Sequence, residues 1–184
     1  MLIREIIEAD IPPMTDRMEQ MLVVQIPYFE GDMDQLEIEF RIANNHDPYD
    51  DDVTKEHEDF DEWLRGFVYE RGCNFLDHMH FMFKGGRLPI YRVITAPADW
   101  QPDPNRHPGV CWSWDKHAAE AHQGHFGQGY VEWMMEASVT SDQIDWDTTI
   151  CLNVAPSSES EKEIRILSEN TPIKIEKFYH HGRR

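Results

Sequence analysis

Apolar and polar residues follow two different periods along this chain, and the change falls after its first 85 residues. Before it, apolar side chains recur every three or four residues, as at Phe60 and Leu64, which is typical of amphipathic helices. After it, short apolar runs with alternating polar positions predict β-strands. The chain therefore divides into a mostly helical region (1–85), a strand-rich region (86–178) and a frayed tail (179–184), which together predict an α+β fold.

The helical region contains two predicted helical patterns and one ambiguous segment. Asp10 is a candidate cap for a helix that has Pro12 and Pro13 in its first turn, where proline is tolerated. The long amphipathic pattern at the end of the region indicates two helices with a break near Gly72. Between these patterns, residues 33–44 alternate apolar and polar positions in a context that also suits a helix, so both structures stay open there.

The second region is predicted to form six strands and one short helix. Asp115 is a candidate cap for the helix, whose sequence is KHAAEAH. In the fifth strand, Ile164 and Ile166 share one face by period two. The predicted strands cover residues 88–94, 109–114, 130–140, 148–154, 161–167 and 173–178.

Negative charge is concentrated in one segment. The chain has 35 Asp and Glu against 17 Lys and Arg, a formal net charge of −18. Residues 30–62 hold 14 of these acids and two basic residues, and so supply −12 of the total. Two interpretations stay open: a solvated face that aids solubility, or a surface for a basic protein partner.

Composition and missing motifs argue against several classes of protein. Direct nucleic-acid binding needs clustered Lys and Arg, which this acidic chain lacks. No apolar run approaches the roughly 20 residues of a membrane span, and the first residues lack the pattern of a signal peptide. Three widely spaced cysteines predict reduced thiols in a cytoplasmic protein. Neither the GxGxxG motif nor the P-loop motif is present.

Arg92 and a pair of glutamates are candidates for chemistry. Arg92 lies in the middle of an apolar strand, where a guanidinium either pairs with a neighbouring carboxylate or binds a carboxylate or diphosphate of a ligand. Glu161 and Glu163 are two residues apart on a predicted strand, so both carboxylates project from one face. Catalytic pairs in sugar-transferring enzymes and ordinary solvent-facing charges both show this arrangement.

Ser113 lies between two tryptophans, Trp112 and Trp114. Tryptophan rings stack on flat ligands such as nicotinamide or adenine, but more often they belong to the core. Ten histidines also raise the question of a metal site. Because the chain has no HExxH pair and no paired cysteines, we predict no metal centre; a metal hydrolase would need His78, His80 and a third ligand to converge.

Taken in order, these residues resemble the Arg–Ser–Glu class of ADP-ribosyltransferases, a family that includes bacterial exotoxins and phage-encoded transferases. The family's arginine on the first core strand corresponds to Arg92 in LPIYRVI, and its serine strand corresponds to GVCWSW, with Ser113 at the centre. Its Glu-x-Glu corresponds to Glu161 and Glu163 in EKEI. The resemblance covers residues 86–178, and where the family has Ser-Thr-Ser only the central position keeps a hydroxyl.

The resemblance implies a core of two small packed β-sheets with NAD, as substrate, in the cleft between them, preceded by the helical acidic region. Glu163 would stabilise the oxocarbenium-like transition state, Glu161 would act on the incoming nucleophile, and Ser113 would position the ribose and the catalytic carboxylate. The residues implied for NAD binding are Tyr91, Arg92, Trp112, Ser113 and Trp114.

Two functional hypotheses follow. The resemblance implies a mono-ADP-ribosyltransferase that moves ADP-ribose from NAD to a macromolecular acceptor, as a phage or mobile-element effector; the first glutamate of Glu-x-Glu resembles members that modify arginine. The alternative is an acidic inhibitor or interaction protein, similar to a nucleic-acid mimic, that has the same shape without turnover. The enzyme hypothesis requires Arg92, Ser113 and Glu163 to converge on one cleft, and the alternative does not.

Overall fold

The computed structural model describes residues 10–25, 32–44, 57–83, 85–101, 103, 108–121, 129–154 and 162–180. These residues form five α-helices, five strands and a short 3-10 helix at Ser141–Gln143. The α-helices are α1 (Asp16–Gln25), α2 (Asp32–Ala43), α3 (His57–Met82), α4 (Lys116–Ala121) and α5 (Trp146–Val154). The strands are β1 (Leu88–Pro97), β2 (Cys111–Ser113), β3 (Tyr130–Val139), β4 (Glu163–Arg165) and β5 (Ile175–His180).

The five strands form one antiparallel sheet in the order β4-β2-β1-β3-β5. The α+β class is therefore confirmed. The described residues do not show the two small sheets that the resemblance implied, because one of the six predicted strands is a helix and the other five pair edge to edge. The long β1–β3 ladder, which runs from Leu88 opposite Val139 to Pro97 opposite Tyr130, forms the centre of this sheet.

One face of the sheet packs against α1, α3 and α5 to form the core. Alternation along the strands buries every second side chain on this face. Because helices from the first region and strands from the second share a single hydrophobic cluster, the boundary at residue 86 marks a change of secondary structure within one core. The cluster's fully buried members include Leu22, Met79, Leu88, Ile90, Met135, Ile150, Ile164 and Ile166.

The predicted strand at residues 148–154 was wrong, because this segment is helix α5. Its β-branched residues favour a strand locally. The helix wins because Asp145 caps it, accepting a hydrogen bond from the backbone N–H of Thr148 at 3.1 Å. Its buried positions Trp146, Ile150 and Val154 are four residues apart and pack on the core.

The N-terminal helices also differ from the sequence patterns. α1 begins at Asp16, because Thr15 caps it by accepting from the backbone N–H of Met18 at 3.2 Å, so Asp10 is not its cap. Of the ambiguous segment 33–44, residues 33–43 lie in helix α2. Leu36 and Phe40, one turn apart, are buried on its core-facing side, whereas Ile42 is 59% exposed.

The predicted break near Gly72 was also wrong: α3 continues for 26 residues, about 39 Å at the rise of an α-helix. Gly72 is used for close packing, since a Cβ there would lie 2.7 Å from the Sδ of Met14 and 3.2 Å from the Cδ1 of Ile150.

The strand predictions are otherwise confirmed, with shifted ends. β2 and β4 are shorter than expected, and β1 extends three residues further, to Pro97. β5 includes Tyr179 and His180, which were assigned to the frayed tail, and residues 181–184 lie outside the described part. None of the helices in the described ranges is both long and apolar enough to span a membrane.

We expect alanine substitutions at two glycines of α3 to have different effects. At Gly66 an added Cβ meets nothing within 4 Å, so Gly66→Ala should raise the free energy of unfolding by about 1 kcal/mol through helix propensity. Gly72→Ala should gain less or lose stability, because Met14 must swing away and the buried Ile150 must shift. Urea denaturation measures both variants. Equal stabilisation by the two would contradict the close packing at Gly72.

Candidate active site

Three neighbouring strands place Tyr91, Ser113 and Glu163 side by side. β1 pairs with β2 at Tyr91 and Ser113, and β2 pairs with β4 at Ser113 and Glu163. Directly opposed residues of antiparallel strands project from the same face of a sheet. This face is opposite to the core face, on which the alternate residues Trp112 and Ile164 are buried.

A cavity of about 300 Å³, here called the Glu163 pocket, lies on this face and is bordered by α4 through Ala119. Its lining includes Arg92, Ser113 and Glu163, so the three residues whose convergence distinguishes the two hypotheses do line one pocket. The other lining residues are Tyr91, Val93, Cys111, Trp112 and Ala119.

The guanidinium of Arg92 packs against the turn that leads into β2. Its Nη1 donates to the backbone oxygen of Cys111 at 2.9 Å. Gly109 makes room for it: this residue has a φ of +103°, and a Cβ there would lie 2.2 Å from Nη1. Burial lowers the pKa of Arg92, while Cys111 and Glu163 raise it, and an arginine stays charged in proteins. By alternation Arg92 belongs to the face of Ile90 and Met135, opposite to that of Ser113 and Glu163, so it borders the Glu163 pocket from the other side of β1.

Cys111 is a pocket residue that the sequence analysis missed. Its sulfur accepts a hydrogen bond from Nη1 of Arg165. Burial raises the pKa of Cys111, and the nearby Glu163 carboxylate raises it further, so the thiol is protonated at neutral pH. Period two was the available signal: Cys111 is two residues before Ser113, and Arg165 is two residues after Glu163, so each shares its neighbour's face.

Ser113 and Asp115 organise the turn after β2. Ser113 is buried, and its Oγ accepts a hydrogen bond from the backbone N–H of Asp115 at 3.1 Å. Asp115 caps α4, as predicted, by accepting from the backbone N–H groups of His117 at 2.8 Å and Ala118 at 3.2 Å. Its other carboxylate oxygen forms an ion pair with Lys162.

Lys162, the residue before Glu163, has a φ of 51°. This left-handed conformation is unfavourable for a residue with a Cβ, so neighbouring contacts must hold it. The backbone oxygen of Lys162 accepts from the N–H of Trp114 at 3.1 Å, and its ammonium binds Asp115. These contacts therefore fix the backbone conformation of Lys162, the residue immediately before the candidate catalytic carboxylate.

A second cavity, of about 750 Å³, adjoins the first at Tyr91 and is here called the Trp114 pocket. Of the two tryptophans predicted to bind NAD, Trp114 lines this second cavity. Its ring contacts that of Phe75, with the centroids 5.8 Å apart. Trp112 is a core residue that borders the Glu163 pocket, and its indole N–H donates to the backbone oxygen of Gly109 at 2.8 Å. The other residues of the Trp114 pocket are Asn74, His78, Met82, Asp115, Lys116, Asn153 and Lys162.

Some candidate residues lie outside the described part of the chain. Glu161 is one of them, so its predicted position beside Glu163 stays a prediction. Of the acidic segment 30–62, only residues 32–44 and 57–62 are described, and its basic partner also stays a prediction. Among the described residues, no group of three or more His, Cys, Asp or Glu is arranged to hold a metal ion.

Comparisons of the chain with protein-family models, with curated proteins and with solved structures find no match.

The ion pair between Asp115 and Lys162 should make stability depend on pH. The hydrogen bond from Lys162 to Asp115 lowers the pKa of Asp115, and the hydrogen bonds from the backbone of Ala118 and His117 lower this pKa further. A depressed carboxyl pKa stabilises the fold above the unfolded pKa of about 3.9, and this stabilisation is lost as pH falls through the lower, folded pKa. Asp115→Asn keeps a capping side chain but removes the charge, so it should lower the melting temperature at pH 7.

The difference between wild type and Asp115→Asn should shrink as the pH is lowered below about 4. Melting curves between pH 2 and pH 7 measure it, with the exposed Asp99→Asn as the control. A difference that stays constant over this range would contradict a contribution from the charge of Asp115.

Proposed function

We propose that this protein is a mono-ADP-ribosyltransferase that transfers ADP-ribose from NAD to a macromolecular acceptor. The observation that carries the proposal is the shared lining of the Glu163 pocket by Arg92, Ser113 and Glu163. An interaction protein without turnover does not require a cation, a hydroxyl and a carboxylate from three different strands to meet in one cavity. Pockets with a few convergent polar groups are the usual form of small-molecule sites.

The charges at the pocket suit the proposed substrate. NAD has a negative diphosphate, for which the Arg92 guanidinium is a matching partner. Its ribose becomes positive as the glycosidic bond to nicotinamide breaks, and the Glu163 carboxylate is suited to stabilise this charge. Because the Glu163 pocket has only about 300 Å³, it suits the nicotinamide riboside part, and the rest of the dinucleotide must extend beyond it.

The proposed reaction is a substitution at the anomeric carbon of that ribose. The carbon–nitrogen bond to nicotinamide breaks, and its electron pair leaves with nicotinamide. The acceptor's nucleophilic atom then forms the new bond to the same carbon and loses a proton to a base. By the resemblance, that base is Glu161 and the acceptor is an arginine side chain of a protein, while Ser113 positions the ribose and Glu163.

Glu163→Gln is expected to separate binding from chemistry. The amide keeps the shape of the side chain but removes the charge that acts in the transition state. NAD at 100 times its dissociation constant should still stabilise the variant by about 2.7 kcal/mol. Nicotinamide release should fall roughly 10²–10³-fold, as on removal of one stabilising group from an oxyanion hole.

The measurements for this variant are NAD-dependent melting curves and chromatography of released nicotinamide. Glu169→Gln, at an exposed glutamate outside both pockets, is the matched control and should behave like wild type. If wild-type protein neither releases nicotinamide nor gains stability from NAD, the transferase proposal is wrong and the acidic interaction protein becomes the better hypothesis.

Glu161→Gln should affect transfer more than hydrolysis. If Glu161 takes the proton of the incoming nucleophile, slow hydrolysis of NAD by water should persist in the variant, while transfer to an arginine-rich protein should be suppressed. Labelled NAD incubated with such a protein and with buffer alone measures the two reactions. An equal loss of both would contradict a specific role towards the acceptor.

A further inference from the structure

β4, which carries Glu163, is a three-residue strand at the edge of the sheet. Along β4, the backbone groups of successive residues form hydrogen bonds towards opposite sides of the strand. Towards β2, Lys162 accepts from the N–H of Trp114 at 3.1 Å, and Ile166 donates to the oxygen of Val110 at 2.8 Å. The backbone groups of Glu163 and Arg165 therefore face the outer edge, where none of the five described strands pairs with them.

The segment that contains α5 occupies this outer edge. The N–H of Asp145 donates to the oxygen of Arg165 at 2.8 Å. The Oγ1 of Thr149 accepts from the N–H of Arg165 at 3.0 Å. The Nδ2 of Asn153 donates to the oxygen of Glu163 at 2.8 Å. Backbone bonds of the segment before α5 and side chains of α5 thus cover this edge, and Asn153 is the side chain that holds the backbone of Glu163.

Asn153 reaches this position at a cost to stability. Its Nδ2 also donates to the backbone oxygen of Thr149 at 2.7 Å, so one amide nitrogen ties the helix to the strand. Its Oδ1 is buried and has no hydrogen-bond partner among the described residues. A buried polar atom without a partner is destabilising, and a leucine of similar size would avoid this cost but would leave the oxygen of Glu163 without this donor. The asparagine is therefore explained by what its Nδ2 binds, the backbone of Glu163.

We propose that Asn153, supported by Thr149, is a positioning residue: it fixes the backbone of Glu163 so that the carboxylate stays in the Glu163 pocket. This inference rests on the proposed function for its catalytic consequence. The claim that Asn153 fixes β4 does not rest on that function, since the contacts predict a rigid β4 whether or not NAD is the substrate. Displacing a catalytic group by about 1 Å costs roughly 100-fold in rate, so a single backbone contact is enough to matter.

The test compares Asn153→Leu with Asn44→Leu in the full-length protein. Asn44 is a matched control, because its Nδ2 donates to the backbone oxygen four residues earlier, that of Phe40, at 2.9 Å, and it forms no hydrogen bond to any of the five described strands. The first readout is amide hydrogen exchange of β4 by NMR. In Asn153→Leu the Arg165 amide should exchange about five- to tenfold faster, while the melting temperature should change little, because loss of the hydrogen bond to Glu163 offsets removal of the unpaired Oδ1. Asn44→Leu should leave this amide unchanged.

The second readout is NAD turnover. Asn153→Leu should lower kcat for nicotinamide release roughly 10- to 100-fold and leave KM for NAD nearly unchanged, since the residue acts through Glu163. Thr149→Val removes the acceptor for the Arg165 N–H and should also make this amide exchange faster. Thr149→Ser keeps the hydroxyl and should keep the exchange rate of wild type.

Unchanged amide exchange in β4 of Asn153→Leu would overturn the positioning role. A raised KM with an unchanged kcat would overturn it as well, and would instead make Asn153 a substrate contact in the Trp114 pocket. If wild-type protein releases no nicotinamide, the transferase proposal fails, and the exchange measurement alone decides whether Asn153 fixes β4.

Discussion

The burial of Ile164 is the constraint on which the candidate site depends. Ile164 is fully buried opposite Trp112, and this contact sets the register between β4 and β2. Side chains alternate along a strand, so a slip of one residue would bring Glu163 into the core and Ile164 into the pocket. The free energy of burying one aliphatic side chain, about 1.5–3 kcal/mol, thereby also fixes which face the carboxylate occupies.

The electrostatics of the pocket follow from the same register. Arg165 comes to lie opposite Cys111, and Glu163 opposite Ser113, so cation, thiol, hydroxyl and carboxylate alternate across two short strands. Arg92 adds a second guanidinium from the neighbouring strand, with a neutral carbonyl as its hydrogen-bond partner. In a chain with a formal charge of −18, this is a local concentration of positive charge, which suits an anionic ligand.

The sequence predicted those features of the site that depend on local patterns. Period two was sufficient to assign the faces of Ile164 and Ile166, and the capping preference of aspartate was sufficient for Asp115 and α4. The order of their motifs along the chain suggested that Arg92, Ser113 and Glu163 meet, and all three line the Glu163 pocket. Pattern reasoning failed for α5, where the strand preference of its β-branched residues conceals a helix that tertiary packing and the Asp145 cap select. The role of Asn153 depends on that helix and was therefore beyond the reach of sequence patterns.

Two unfavourable features of the described residues adjoin Glu163. The non-glycine residue with positive φ is Lys162, one residue before it, and the buried side-chain atom without a partner is Oδ1 of Asn153, whose Nδ2 binds the oxygen of Glu163. Natural sequences are locally consistent with their fold except where function requires otherwise. If selection had acted on stability alone, these two unfavourable features would have no reason to occur next to the same carboxylate. Their location is explained if the position of Glu163 matters more to this protein than the stability that these features sacrifice.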